Sequence, residues 1–317
     1  MRIDIIGAGA LGLLYAGKLA AAGAEIRMWV RKPETADMLR REGIAVAEQG
    51  GEILNIKYPD FEVHLMESWP LALPGETGDW VLLMTKQDGI REAAECMAKG
   101  LVKNLHIVCM QNGIGHIEAV GQLLPDAWVY PAVTTEGARR QSGESVVMHA
   151  GKGVTELGSA YHYGSAQPFA PDGREKRLAD KLTEAGLETR ISRDIDRSIY
   201  RKLLVNAVIN PLTAIWRIPN GELLSSRERM DMLRQVYDES IRIFDACGIA
   251  WEAEWWEELL QICRSTAANR SSMLADVLAG RRTEIEAING QFIRLAEGAG
   301  MEAPLHRMIR NIITGMQ

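Results

Sequence analysis

The segment RKLLVNAVINPL, residues 201 to 212, sets Lys202, Asn206 and Asn210 at every fourth position of an otherwise apolar run. In a helix these side chains stack along one side, drifting by about 40° per step. An unpaired polar group in apolar surroundings costs on the order of 1–3 kcal/mol, so the three must be partnered or must face a wet groove. An ammonium can donate hydrogen bonds and a proton, and each amide offers both donors and an acceptor. Read from spacing alone, a stripe satisfied by backbone carbonyls and solvent stands equally. Pro211 is expected to disrupt the helix and leave the Asn210 carbonyl region approachable.

A second set lies at the start of the chain, where RIDII runs into GAGALG. Gly7, Gly9 and Gly12, with Ala10 and Leu11 between the last two, follow a strand and open a helix. That context suits a dinucleotide pyrophosphate on a helix N-terminus; a simple tight turn is the plainer reading. The next strand, EIRMWV, ends in Arg31 and Lys32 rather than an acid. Positive charge there suits a 2′-phosphate and predicts NADPH over NADH, unless both are solvated helix-start residues. Lys86 closes VLLMTK and Asn112 closes IVCMQN, at strand ends where doubly wound sheets place ligands. Lys86 also reads as a surface lysine. Asn112-Gly113 reads as a hairpin turn only until IEAVGQLL, which has helical periodicity.

These residues need a frame of alternating elements. Strands and helices alternate through about residue 192: a hairpin around Gly50-Gly51, a strand at DWVLLMTK, a helix at REAAECMAKGL, and strands at AWVYPAVTT, ESVVMHA and VTELG. The last two strands are expected to pair antiparallel through GKG. SAQPFAPDG reads as a turn, a helix follows from about Arg174, and LETRI is a further strand. From residue 193 onward only helix-period segments remain. The expectation is an α/β protein: a Rossmann-type dinucleotide-binding domain over 1–192, then an all-α domain over 193–317. The stripe Trp251, Trp255 and Leu259, with Trp256 beside it, reads as core or subunit interface and admits a homodimer.

Composition excludes several classes. The chain has 317 residues, 47% of them hydrophobic and 25% charged, with net charge −6 and pI near 5.7. That balance argues against a nucleic-acid binder. No apolar run spans a bilayer and no signal peptide is evident, so a cytoplasmic location without membrane partners is expected. The four cysteines and six histidines show no ligand spacing, so no metal site is expected.

Together GAGALG, MTKQ, QNG, RKLLVNAVINPLTAIW, PNGEL, SSMLADV and RRTEIEAING resemble the ketopantoate reductase family, in order and spacing, over residues 1 to about 295. The resemblance implies an NADPH-dependent reductase of 2-dehydropantoate, with a small 2-oxo acid as its partner. It implies Lys202 as general acid, Asn206 and Asn210 holding substrate, Ser272 on the substrate carboxylate, and Glu284 interacting with substrate and lysine. It implies that Lys86 and Asn112 line the cofactor and nicotinamide pocket. Glu284 also reads as a first-turn acid of a Thr283-to-Glu286 capping box, and Ser272 as an N-cap. Two other functions remain: a reductase of another branched or aromatic 2-oxo acid, and a dinucleotide-sensing protein without turnover. The second has no need of Lys202 and Glu284. Burial would lower the Lys202 pKa and a neighbouring carboxylate would raise it, so its net direction is left open.

Overall fold

The computed structural model describes residues 1–71, 78–100, 102–140, 144–164 and 173–317, so the turn expected at 165–172 lies outside the described residues. Two compact units emerge: Met1–Gln111 with Gly115–Ile195, and Asn112–Ile114 with Asp196–Gln317.

The first unit is built on short apolar strands that are buried on both faces, as parallel strands covered by helices must be. β1 (Arg2–Ile6), α1 (Ala10–Ala21) and β2 (Glu25–Val30) form the leading β-α-β turn. β3 (Ile44–Ala47) and β4 (Ile53–Ile56) make the expected hairpin, after α2 (Pro33–Glu42). β5 (Glu62–Leu65), β6 (Trp80–Leu83), α3 (Ile90–Ala98), β7 (His106–Cys109), α4 (His116–Leu123) and β8 (Trp128–Thr134) continue the alternation. β9 (Gly137–Arg140), β10 (Val146–Gly151), β11 (Thr155–Leu157), β12 (Tyr161–His162), α5 (Arg174–Glu184) and β13 (Thr189–Ile191) complete the unit.

The main sheet runs β13-β11-β8-β7-β6-β1-β2-β5, with β12 on β8. The chain moves outward from β1 to β2 on one side and resumes at β6 on the other, all three parallel. The carboxyl ends of β1 and β6 therefore flank a topological switch point, where such sheets hold ligands. Alternate residues serve opposite faces: Ile3, Ile5 and Met28 pack with Leu13 and Leu14 of α1, whereas Ile6, Val81 and Leu83 pack with Ile90 and Ala94 of α3. One charge sits inside: the fully buried Asp4 accepts two 2.8 Å bonds from Arg27 and one from Trp29 Nε1. That pairing meets the cost of burial.

One expected pairing does not form. β10 and β11 lie in different sheets: β10 joins β3 and β9 in a four-stranded sheet, and β11 joins β8 and β13. The chain leaves the small sheet at Gly151, and Val154 instead exchanges bonds with Thr135, through Thr135 N to Val154 O at 3.0 Å and Val154 N to Thr135 Oγ1 at 2.8 Å. Side-chain pairings add to this separation. His149 of β10 lies 2.6 Å from Glu136 and 3.0 Å from Glu48, and Glu48 pairs with Lys18 of α1 at 2.6 Å. Thr155 of β11 meets Tyr15 of α1 at 2.6 Å.

The second unit is helical: α6 (Ile195–Trp216), a 3-10 turn Asn220–Leu224, α7 (Arg227–Ala246), α8 (Trp255–Ser265), α9 (Ser272–Leu278), α10 (Ile285–Gly298) and α11 (Pro304–Gly315). Leu203, Leu204, Ala207, Val208 and Leu212 of α6 pack with Phe244, Leu259, Phe292 and Ile309 of its neighbours. Trp255 and Leu259 are core, while Trp256 lies against Tyr237 with the Arg234 guanidinium over its ring. Among the described residues no helix is long and apolar enough to cross a membrane.

Candidate active site

The glycine turn connects β1 to α1 at the switch point. Gly7 has φ +111, and a Cβ on it would lie 3.0 Å from the Met84 carbonyl beyond β6. A Cβ on Gly12 would fall 2.0 Å from the Gly7 oxygen, so neither position admits a side chain. Gly9 differs: nothing lies within 4 Å of where its Cβ would be. Packing within the fold does not demand glycine there, and the space beside it is open. Gly9 caps α1 without a side-chain bond, and helix geometry leaves the first-turn N–H groups at Ala10, Leu11 and Gly12 without intrahelical acceptors. Arg140 of β9 pins the turn by donating from Nη1 to the Ala8 carbonyl.

Beside this turn lies a cavity of about 300 Å³, lined by Gly7, Ala8, Trp29, Arg31, Lys32, Thr35, Thr85 and Lys86 among others. The strand ends thus bring Gly7, Arg31, Lys32 and Lys86 to one hollow, while Gly9, Ala10, Leu11 and Gly12 shape the helix start and do not line it. Lys32 caps α2, with Lys86 likewise before a 3-10 turn. Gln111 fixes the β6 exit by donating from Nε2 to the carbonyls of Leu83 at 2.7 Å and Thr85 at 3.1 Å. The buried Thr85 hydroxyl has no partner among the described residues. An orphaned hydroxyl, open space at Gly9 and the three cations Arg31, Lys32 and Lys86 fit an anionic dinucleotide.

The second cluster belongs to the helical unit. On α6, Lys202 and Asn206 are partly buried and Asn210 is 8% exposed. Burial pulls the Lys202 pKa down from 10.5 to about 8, and the Glu284 carboxylate opposes that shift without cancelling it. Glu284 Oε2 accepts a 3.1 Å bond from Asn112 Nδ2, and Gln291 Nε2 holds the same loop through the Ile114 carbonyl at 2.8 Å. Lys202, Glu284 and Asn112 are therefore one electrostatic group within the helical unit.

Three local expectations change. Pro211 does not disrupt α6, which runs on to Trp216. Lacking an N–H, Pro211 leaves the Ala207 carbonyl without its helical donor. Asn289 of α10 replaces that donor through Nδ2 at 3.0 Å. The Asn210 carbonyl is not open either, accepting from Thr213 Oγ1 at 2.9 Å and Ser271 Oγ at 3.4 Å. Ser271, not Ser272, caps α9, accepting from Leu274 N at 3.1 Å, and Ser272 is exposed next to that α6 contact. The capping box at 283–286 is absent as such: Glu284 itself is the N-cap position of α10, and Thr283 Oγ1 accepts from Ile285 N.

Sequence reading also missed Asn289, Gln111 and Arg140. Only Asn289 had a signal, because a proline inside a helical run implies an orphan carbonyl four residues earlier. Asn289 is further bonded to His306 Nδ1 at 3.1 Å, and His306 Nε2 lies 3.0 Å from Ser240 Oγ. Asn289 Nδ2 donates, so Nδ1 accepts and Nε2 carries the proton. Burial holds that imidazole neutral, its pKa pushed down to about 3.

Comparison with known proteins agrees with this frame. Residues 3–161 match the family described as ketopantoate reductase PanE/ApbA, and residues 194–317 match its C-terminal model. The 2-dehydropantoate 2-reductase of Shigella flexneri is 32% identical, over 96% of this chain and 91% of that one. The enzyme of the same name from Pyrococcus abyssi is 29% identical, over 100% and 98%. A ternary structure of D-mandelate dehydrogenase with NADH and anilino(oxo)acetate shares the fold at TM-score 0.87 and 24% identity, covering 100% of this chain and 98% of that one. With both units matched in sequence and the same architecture found among solved structures, the chain belongs to the ketopantoate reductase family of oxidoreductases.

Proposed function

We propose that this chain reduces 2-dehydropantoate to pantoate with NADPH, holding the dinucleotide through residues 1–192 and the 2-oxo acid through residues 193–317. The observation that carries this reading is Lys202, a lysine with its pKa brought to about 8 within reach of the Glu284 charge. Bound dinucleotide supplies hydride to the carbonyl carbon. The Lys202 ammonium donates a hydrogen bond to the ketone oxygen as negative charge develops there, then transfers its proton to it. A pKa near the working pH suits that transfer, and Glu284, held by Asn112, keeps enough negative potential nearby for the ammonium to form. Asn206 and Asn210 offer donors and acceptors to the hydroxyl, and Ser272 a hydroxyl to the carboxylate. In the first unit, Arg31 and Lys32 supply positive charge for a 2′-phosphate, with Gly7, Gly9, Ala10, Leu11 and Gly12 at the pyrophosphate and Lys86 on the same cavity wall.

The likeness to D-mandelate dehydrogenase favours a second reading, reduction of an aromatic 2-oxo acid on the same machinery. Initial rates of NADPH oxidation across 2-dehydropantoate, pyruvate and phenylglyoxylate separate the two. The highest kcat/KM belongs to 2-dehydropantoate on the first reading; a higher value for phenylglyoxylate selects the second.

A further inference from the structure

Glu92 stands in the first turn of α3, where the helix dipole favours an acid. The dipole does not account for its other surroundings. Glu92 lines the same cavity as Arg31, Lys32, Thr35 and Lys86, and its Oε2 lies 3.3 Å from Arg31 Nη1. Both side chains remain largely exposed, at 60% and 65%, so the pair adds little to stability. Its effect falls on whatever enters the cavity. A guanidinium suits a phosphate ester, whereas a carboxylate repels a phosphate and accepts a hydrogen bond from a free hydroxyl. The two chemistries share one wall.

We propose that Glu92 sets the balance between phosphorylated and unphosphorylated dinucleotides. By engaging Arg31 it weakens the hold on a 2′-phosphate, and it offers an acceptor to an unmodified ribose. The cavity then accepts NADH as well as NADPH. This rests on the dinucleotide reading of the cavity and deepens it.

The test is calorimetric titration of NADPH and of NADH into the full chain without substrate, for wild type, Glu92→Gln, Arg31→Ala and the double variant. Removing one like charge beside a solvated phosphate tightens NADPH roughly fivefold, and losing the hydroxyl acceptor weakens NADH roughly twofold. The ratio of the two Kd values therefore moves about tenfold toward NADPH in Glu92→Gln, and that gain shrinks when Arg31 is absent. An unchanged ratio, or weaker NADPH binding in Glu92→Gln, overturns the proposal, because Glu92 then does no more than hold Arg31. If Arg31→Ala shifts the ratio and Glu92→Gln does not, this inference alone fails. If neither variant moves it, the phosphate assignment of Arg31 fails as well.

Discussion

Removing the Asn289 side chain tests how α6 carries its chemistry across a proline. Asn289 Nδ2 donates to the Ala207 carbonyl at 3.0 Å and to His306 Nδ1 at 3.1 Å, in a setting where Asn289 and His306 are both 0% exposed. Asn289→Ala leaves two buried acceptors unpaired at about 1–3 kcal/mol each, so a loss of roughly 3 kcal/mol is expected. Replacing Pro211 by alanine supplies the N–H that the helix lacks at this step. In the Asn289→Ala background, Pro211→Ala should recover about 1 kcal/mol by satisfying Ala207 from within α6. In the wild-type background the carbonyl is already bonded, so the gain there is smaller and the two changes couple. Scanning calorimetry reads the effect, because about 1 kcal/mol moves Tm by a few degrees in a unit of this size. Strict additivity of the two substitutions, or a cost below about 0.5 kcal/mol for Asn289→Ala, would show that Asn289 does not replace the missing donor.

His306 gives stability a pH dependence. Its folded pKa of about 3 lies below the unfolded value of 6.5, so the unfolded chain binds the extra proton, and stability falls as pH drops below about 6.5. Between pH 7 and pH 5 the loss is about 2 kcal/mol; urea titrations should find it in wild type and not in His306→Asn, and equal slopes would refute it. Glu284→Gln removes the charge that holds the Lys202 pKa up, so the alkaline limit of turnover should move to lower pH. A profile that stays in place would uncouple the two residues.

The glycine turn, the strand ends and the Lys202 stripe were legible because each depends on a few neighbours in sequence. Gly7 and Gly12 announce a turn whose backbone leaves no room for a Cβ, and Arg31 announces charge at the end of β2. Long-range pairings left less trace. Nothing local to Val146–Gly151 says that it joins β3, about 100 residues earlier in the chain. Gln111 stands beside the asparagine that sequence reading singled out, yet its bonds to Leu83 and Thr85 depend on β6 and β7 being neighbours. Pro211 was read by its local rule, and the rule yielded to a donor on Asn289, far along the chain. Ser271 and Ser272 are adjacent, and only the position at which α9 begins decides which of them caps it.

Proton donation by Lys202 is tested most directly by the pH dependence of kcat/KM for NADPH-driven reduction of 2-dehydropantoate. A donor with its pKa at about 8 predicts that log kcat/KM declines with unit slope above that pH. Lys202→Ala should lose roughly 10²–10⁴-fold at neutral pH together with that limb, with NADPH affinity retained. A wild-type profile that stays level up to about pH 10, or a Lys202→Ala variant that turns over at the wild-type rate, would contradict it.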